Sequence, residues 1–166
     1  MMDAGLGEVR EGGGEGSVRF VRRYDVTAAE LWEYLTEPRH LSVWITPGAE
    51  FEARMGGRVR FPWPKGPPVE GTVTVFEPPH ALAYVWREGE VQSTVSMRLQ
   101  AEGTATLLVV EHTGLPLREV RGFAAGWHSH LDWLHHTLVG SAREFDQDGR
   151  FREMARVYGY DVDNDG

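Results

Sequence analysis

The chain has 166 residues, enough for one ordinary domain, which at this size buries about 68–70% of the surface its unfolded chain exposes. Hydrophobic residues make up 41% and charged residues 25%, the balance of a folded globular protein, and the formal charge is −8. That acidity disfavours nucleic acid and anionic membranes as partners, and the lack of cysteine excludes disulfides, thiol catalysis and cysteine-ligated metals.

Residues 1–16 are glycine-rich with few apolar side chains, and are expected to form a loose tail. From Ser17 the apolar residues Val18, Phe20, Tyr24 and Val26 alternate with polar ones, which predicts a strand with one buried face. Thr27 and Glu30 have capping-box spacing, with Val26 and Leu31 placed for a hydrophobic staple, so a short helix follows. Pro38 opens a second short helix that ends at Pro47-Gly48. Strands are then expected at 50–55, around Val59 and Phe61, from Val69 to Phe76, through Leu82, Tyr84 and Trp86, from Val91 to Leu99 and from Thr104 to His112. The proline-rich stretch 62–68 reads as an exposed loop, and the short connections make the sheet antiparallel. After Pro116 the period becomes 3.6: Val120, Phe123, Ala124, Trp127, Leu131, Leu134 and Leu138 make one stripe of a helix over about Arg118–Val139. Residues 141–166 form an acidic extension with a short helix near 150–158 and a disordered end. No apolar run approaches the roughly 18 residues of a membrane span, and no signal-peptide pattern opens the chain, so a cytoplasmic protein is expected.

This order describes an α+β helix-grip domain over residues 17–140, six to seven antiparallel strands around a long C-terminal helix. The motifs along it resemble one family. They are Glu30-Leu31-Trp32, Thr36-Glu37-Pro38 with Trp44, Met55-Gly56-Gly57-Arg58, Glu70-Gly71-Thr72-Val73 and Phe76-Glu77-Pro78-Pro79. Leu82 with Tyr84 and Trp86, Ser93-Thr94-Val95, His112-Thr113-Gly114 and Gly126-Trp127 complete the set. In this order they resemble the activator-of-heat-shock-protein-90-ATPase-like branch of the START/SRPBCC superfamily, relatives of the birch-pollen allergen fold. The resemblance implies a curved sheet gripping the helix, with a cavity between them that superfamily members use for lipids, sterols, polyketides or aromatic hormones. It also implies a chaperone partner and a stress-response role as an alternative. Ile45-Thr46 after Trp44 and the acidic extension depart from the family pattern.

Rings and aliphatics at Trp44, Phe51, Phe61, Trp63, Tyr84, Trp86, Trp127 and Leu131 are the candidate lining of that cavity. Glu70, Arg87 and Glu111 are the candidate polar anchors, with Glu111 placed in the register of Leu107 and Val109. His128, Asp132 and His135 or His136 share one helix face, but that face lies at the boundary with solvent and lacks metalloenzyme spacing, so no metal is expected. No nucleophile elbow, phosphate loop or dinucleotide fingerprint occurs. The residues therefore point to a carrier, sensor or sequestering protein that buries a small apolar or amphipathic molecule without turnover and without a cofactor. A chaperone-cofactor module and a cyclase- or hydrolase-type enzyme in the same cavity are the alternatives. The apolar residues of the extension suggest a homodimer.

Overall fold

The chain's period-2 and period-3.6 segments become strands and helices in turn, and the computed structural model describes residues 5–164. In chain order they are β1 (Glu8–Gly12), β2 (Glu15–Tyr24), α1 (Ala28–Thr36), α2 (Pro38–Trp44), β3 (Glu50–Phe51) and β4 (Arg58–Phe61). There follow β5 (Val69–Glu77), β6 (Ala81–Glu88), β7 (Val91–Glu102), β8 (Ala105–Pro116), α3 (Val120–Leu138) and α4 (Gln147–Tyr158). All strands pair antiparallel in one curved sheet of order β1-β2-β8-β7-β6-β5-β4-β3, and the helix-grip architecture is the one expected. Thr27 caps α1, its hydroxyl accepting from the Glu30 N–H at 3.2 Å. None of the described helices is long and apolar enough to cross a membrane.

The sheet has eight strands rather than six or seven, because part of the expected tail is ordered. β1 pairs with β2 from Glu8↔Arg19 to Gly12↔Glu15 around Gly13-Gly14. Both glycines have positive φ, as a two-residue hairpin turn that follows the strand twist requires. The high glycine content marks that turn and not disorder; residues 1–4 lie outside the described residues.

The core lies between the inner sheet face and α3. Val18, Phe20, Val95, Met97, Leu108 and Val110 meet Val120, Ala124, Leu131 and Leu134, all essentially without solvent exposure. The opposite side of α3 is covered by α4, which begins at the Asp146 cap, earlier than expected, and ends at Gly159 in the left-handed region. Met154, Ala155 and Tyr158 of the extension are buried there, while Val157 stays exposed. Of the acidic end, Val162–Asn164 form a 3-10 turn and the last two residues lie outside the described ones.

A polar clamp joins these layers. Asp132 on α3 accepts from Arg22 on β2 and from Arg150 on α4, each at 2.7 Å. Arg22 also donates to the Gly5 carbonyl, while Gly7 N–H donates to the Tyr158 hydroxyl. That leaves the Tyr158 proton for His128 Nδ1 at 2.9 Å, with His128 Nε2 facing Asp132 at 3.5 Å. His128 is thus buried, not at the solvent boundary. The two guanidiniums hold the Asp132 carboxyl below its usual range against the opposing effect of burial. Asp132→Asn leaves the mostly buried Arg22 under-neutralised; a loss of about 2–4 kcal/mol in urea denaturation is expected, with faster amide exchange in β1 as its signature.

Candidate functional site

The sheet–helix interface is filled by side chains, and the open space lies at one end of it. A cavity of about 640 Å³ is bounded by Trp63 and Pro67 from the 62–68 loop and by Trp86, Glu88 and Val91 around the β6–β7 turn. Glu119, Phe123, Gly126, Trp127 and His130 from α3, with Phe151 and Tyr160 behind them, close the other side. Helix α3 faces it with two glycines one turn apart. A Cβ at Gly122 would stand 2.9 Å from the Tyr160 ring, whereas one at Gly126 would meet nothing within 4 Å. Glycine inside a helix costs roughly 0.5–1 kcal/mol against alanine, so leaving this space open has an energetic cost.

Trp86 is the centre of the wall. Its ring centroid lies 5.9 Å from Trp127, 6.2 Å from Trp63, 6.3 Å from Phe123 and 5.1 Å from His112, all at inclined angles. Two indoles converge on one carboxylate: Trp63 Nε1–H donates to Glu88 Oε2 at 3.1 Å and Trp86 Nε1–H to Oε1 at 3.0 Å. Burial raises the Glu88 pKa, the two indole bonds oppose it, and the nearby Glu119 charge adds to the rise.

Beneath the wall a buried chain of hydrogen bonds sets ring orientations. Trp127 Nε1–H donates to His112 Nδ1 at 2.9 Å, which places the His112 proton on Nε2, 2.7 Å from Ser93 Oγ; that hydroxyl in turn donates to the Trp86 carbonyl at 3.2 Å. His112 is fully buried, and burial pushes its pKa down to about 3. His130 donates Nδ1–H to the Trp44 carbonyl at 2.8 Å, and burial lowers its pKa as well.

Of the residues expected from sequence, Trp63, Trp86 and Trp127 line the cavity. Trp44, Phe51, Phe61, Tyr84 and Leu131 are core: Trp44 Nε1–H is tied to the Tyr34 carbonyl, and Phe51 and Phe61 pack on Tyr84. The three expected anchors face away. Glu70 pairs with Arg60 on the outer sheet surface, Arg87 is exposed, and Glu111 pairs with Arg19 outside. The inner register of β8 is that of Thr106, Leu108, Val110 and His112, one residue out of phase with the expected one. Glu88, absent from the expected set, is the carboxylate that meets the indoles, and its signal is simple: Leu82, Tyr84 and Trp86 at period 2 lead to Glu88 on the same face. Phe151 and Tyr160 carry no such signal, since only the return of α4 across α3 brings them here.

A sequence model of the family described as activator of Hsp90 ATPase homolog 1-like protein matches residues 25–139. Comparison with curated proteins returned no match. Among solved structures, the chain is similar to CalU16 from Micromonospora echinospora, at 24% identity over 92% of this chain and 96% of that one, with a TM-score of 0.68. It is also similar to EF2215 from Enterococcus faecalis, at 19% identity over 92% and 90% of the two chains, TM-score 0.74. PFC0360w, an HSP90 activator from Plasmodium falciparum, aligns at 20% identity over 60% of this chain and 74% of that one, TM-score 0.52. At these identities the likenesses speak to the fold.

The buried histidines give the fold a defined response to acid. His112 and His128 have pKa values lowered to about 3 and about 4, so below pH 6.5 the unfolded chain binds protons that the folded chain refuses. Stability therefore falls as pH falls from 6.5 toward 4, by up to about 1.4 kcal/mol per pH unit for each histidine. His112→Phe strands the Trp127 donor and is expected to cost about 1–3 kcal/mol at pH 7.5 while making the acid slope shallower, both read from urea titrations at several pH values.

Proposed function

The chain belongs to the activator of Hsp90 ATPase homolog 1-like family, and from that premise we propose that it binds a small apolar or amphipathic molecule, without turnover, in the cavity between the 62–68 loop, the β6–β7 turn and α3. The family and fold are those of ligand-binding or activator-type modules. The observation that carries the reading is the cavity itself: about 640 Å³, within the usual range for a small-molecule site, walled by three indoles and one converging carboxylate. Binding is driven by burial, at about 25 cal/mol per Å² of apolar surface removed from water. The rings and aliphatic groups bordering the cavity supply that surface together with the guest, and Glu88 supplies the polar contact that orients it.

Gly126→Leu tests the reading directly. It places a side chain in the empty space and improves helix propensity, so the fold is expected to be retained or stabilised by about 0.5–1 kcal/mol while ligand capacity is lost. Native mass spectrometry on protein taken from cells should show an added mass for the natural sequence that disappears on denaturation and is absent from the variant. Equal adduct on both proteins overturns the proposed site.

A second reading, an activator-type module acting on a chaperone, is favoured by the family match and by the similarity to the Plasmodium activator. It predicts that the chain raises the ATPase rate of the 90-kDa heat-shock protein from the same organism. An unchanged rate at saturating protein removes it.

A further inference from the structure

The charge lining the cavity selects among the guests that an aromatic wall alone would accept. Glu88 is half-buried and accepts two indole hydrogen bonds, yet among the described residues neither it nor Glu90 forms an ion pair. Three carboxylates, Glu88, Glu90 and Glu119, line the space against a single guanidinium, Arg118. Arg118 is largely exposed and sits 3.7 Å from Glu119, so its charge is spent at the rim. His130 adds no positive charge, because burial holds it neutral. A carboxylate kept in an apolar recess without a counter-ion is costly unless a cation completes it.

The rings beside Glu88 supply the rest of such a site. Trp63, Trp86 and Trp127 all border the cavity, with Trp63 and Trp86 inclined at 42° and Trp86 and Trp127 at 49°, so three electron-rich rings lie around the carboxylate. A positive charge within about 6 Å of such faces is attracted by the ring quadrupole, most strongly by tryptophan. Resting on the proposed small-molecule reading of the cavity, we infer that its ligand is an organic cation, an amine or quaternary ammonium on an apolar body, with the charge seated between Glu88 and the Trp63 and Trp86 rings and the body along Phe123 and Trp127.

Three matched probes separate charge selection from cavity binding in isothermal titration of the full chain: (1-naphthylmethyl)trimethylammonium, 1-naphthalenemethanol and 1-naphthylacetate. The cation is expected to bind about tenfold more tightly than the neutral alcohol, with the anion weakest. Glu88→Gln keeps an acceptor for one indole and turns an NH2 toward the other; it should remove the cation's advantage, read as the ratio of cation to alcohol affinity within the variant. Glu119→Gln, which touches no core group, should weaken the cation alone by about two- to threefold, and serves if the Glu88 variant does not fold. Gly126→Leu should abolish binding of all three. Equal affinities for the three probes, all lost in Gly126→Leu, overturn the charge inference and leave the cavity reading standing. Cation binding that survives Gly126→Leu, or no binding of any probe at millimolar concentration, overturns both.

Discussion

Helix α3 must bury two sides at once, and most of the architecture follows from that constraint. Its stripe from Val120 to Leu134 is too apolar to face water, and the only surface broad enough to cover it is the inner face of the sheet. Its other side carries Ala125, His128 and Ser129, small or polar residues that a second helix can approach closely, and α4 lies there. The clamp centred on Asp132 then locks strand, central helix and final helix into one register. Because each guanidinium comes from a different layer, the carboxylate reports on all three being in place.

At the end of α3 nearest the β6–β7 turn the same packing is left incomplete. Gly126 withholds a side chain where the helix would otherwise close on the tryptophans, and Gly122 gives way to Tyr160. The His112 relay holds Trp127 and the Trp86 strand segment in fixed orientation without lending a charge. Rigid rings over an unfilled space, with Glu88 at their meeting point, distinguish this end of the domain from the close-packed core around Phe61 and Tyr84. The indoles and the histidine bordering this end have their own hydrogen bonds already made.

Much of this was legible from residue order. Period-2 alternation located the strands from Val18 onward, the change to period 3.6 after Pro116 located α3, and Thr27 marked the start of α1. Strand phase was the weak point. β8 reads as apolar on both faces from Leu107 to Val110, so alternation could not say which face was inner, and Glu111 was placed on the wrong one in exchange for His112. β6 had no such ambiguity, and following its phase one step further reaches Glu88. Composition alone cannot distinguish a glycine run such as 12–14 in a tail from a hairpin turn whose partner strand lies just beyond it.

The sequence by itself determined the fold class, the family, the helix–sheet pairing and the aromatic stock of the site. These depend on local periodicity and on motifs close together along the chain. Only the tertiary structure decided which rings fill the core and which wall a cavity, because that depends on sheet curvature and on where α4 returns. It also decided that Asp132 binds two arginines and that Glu88 meets two indoles. Arg22 and Asp132 are 110 positions apart, and Trp63 and Glu88 are 25 apart, separations at which no periodic pattern carries information about contact.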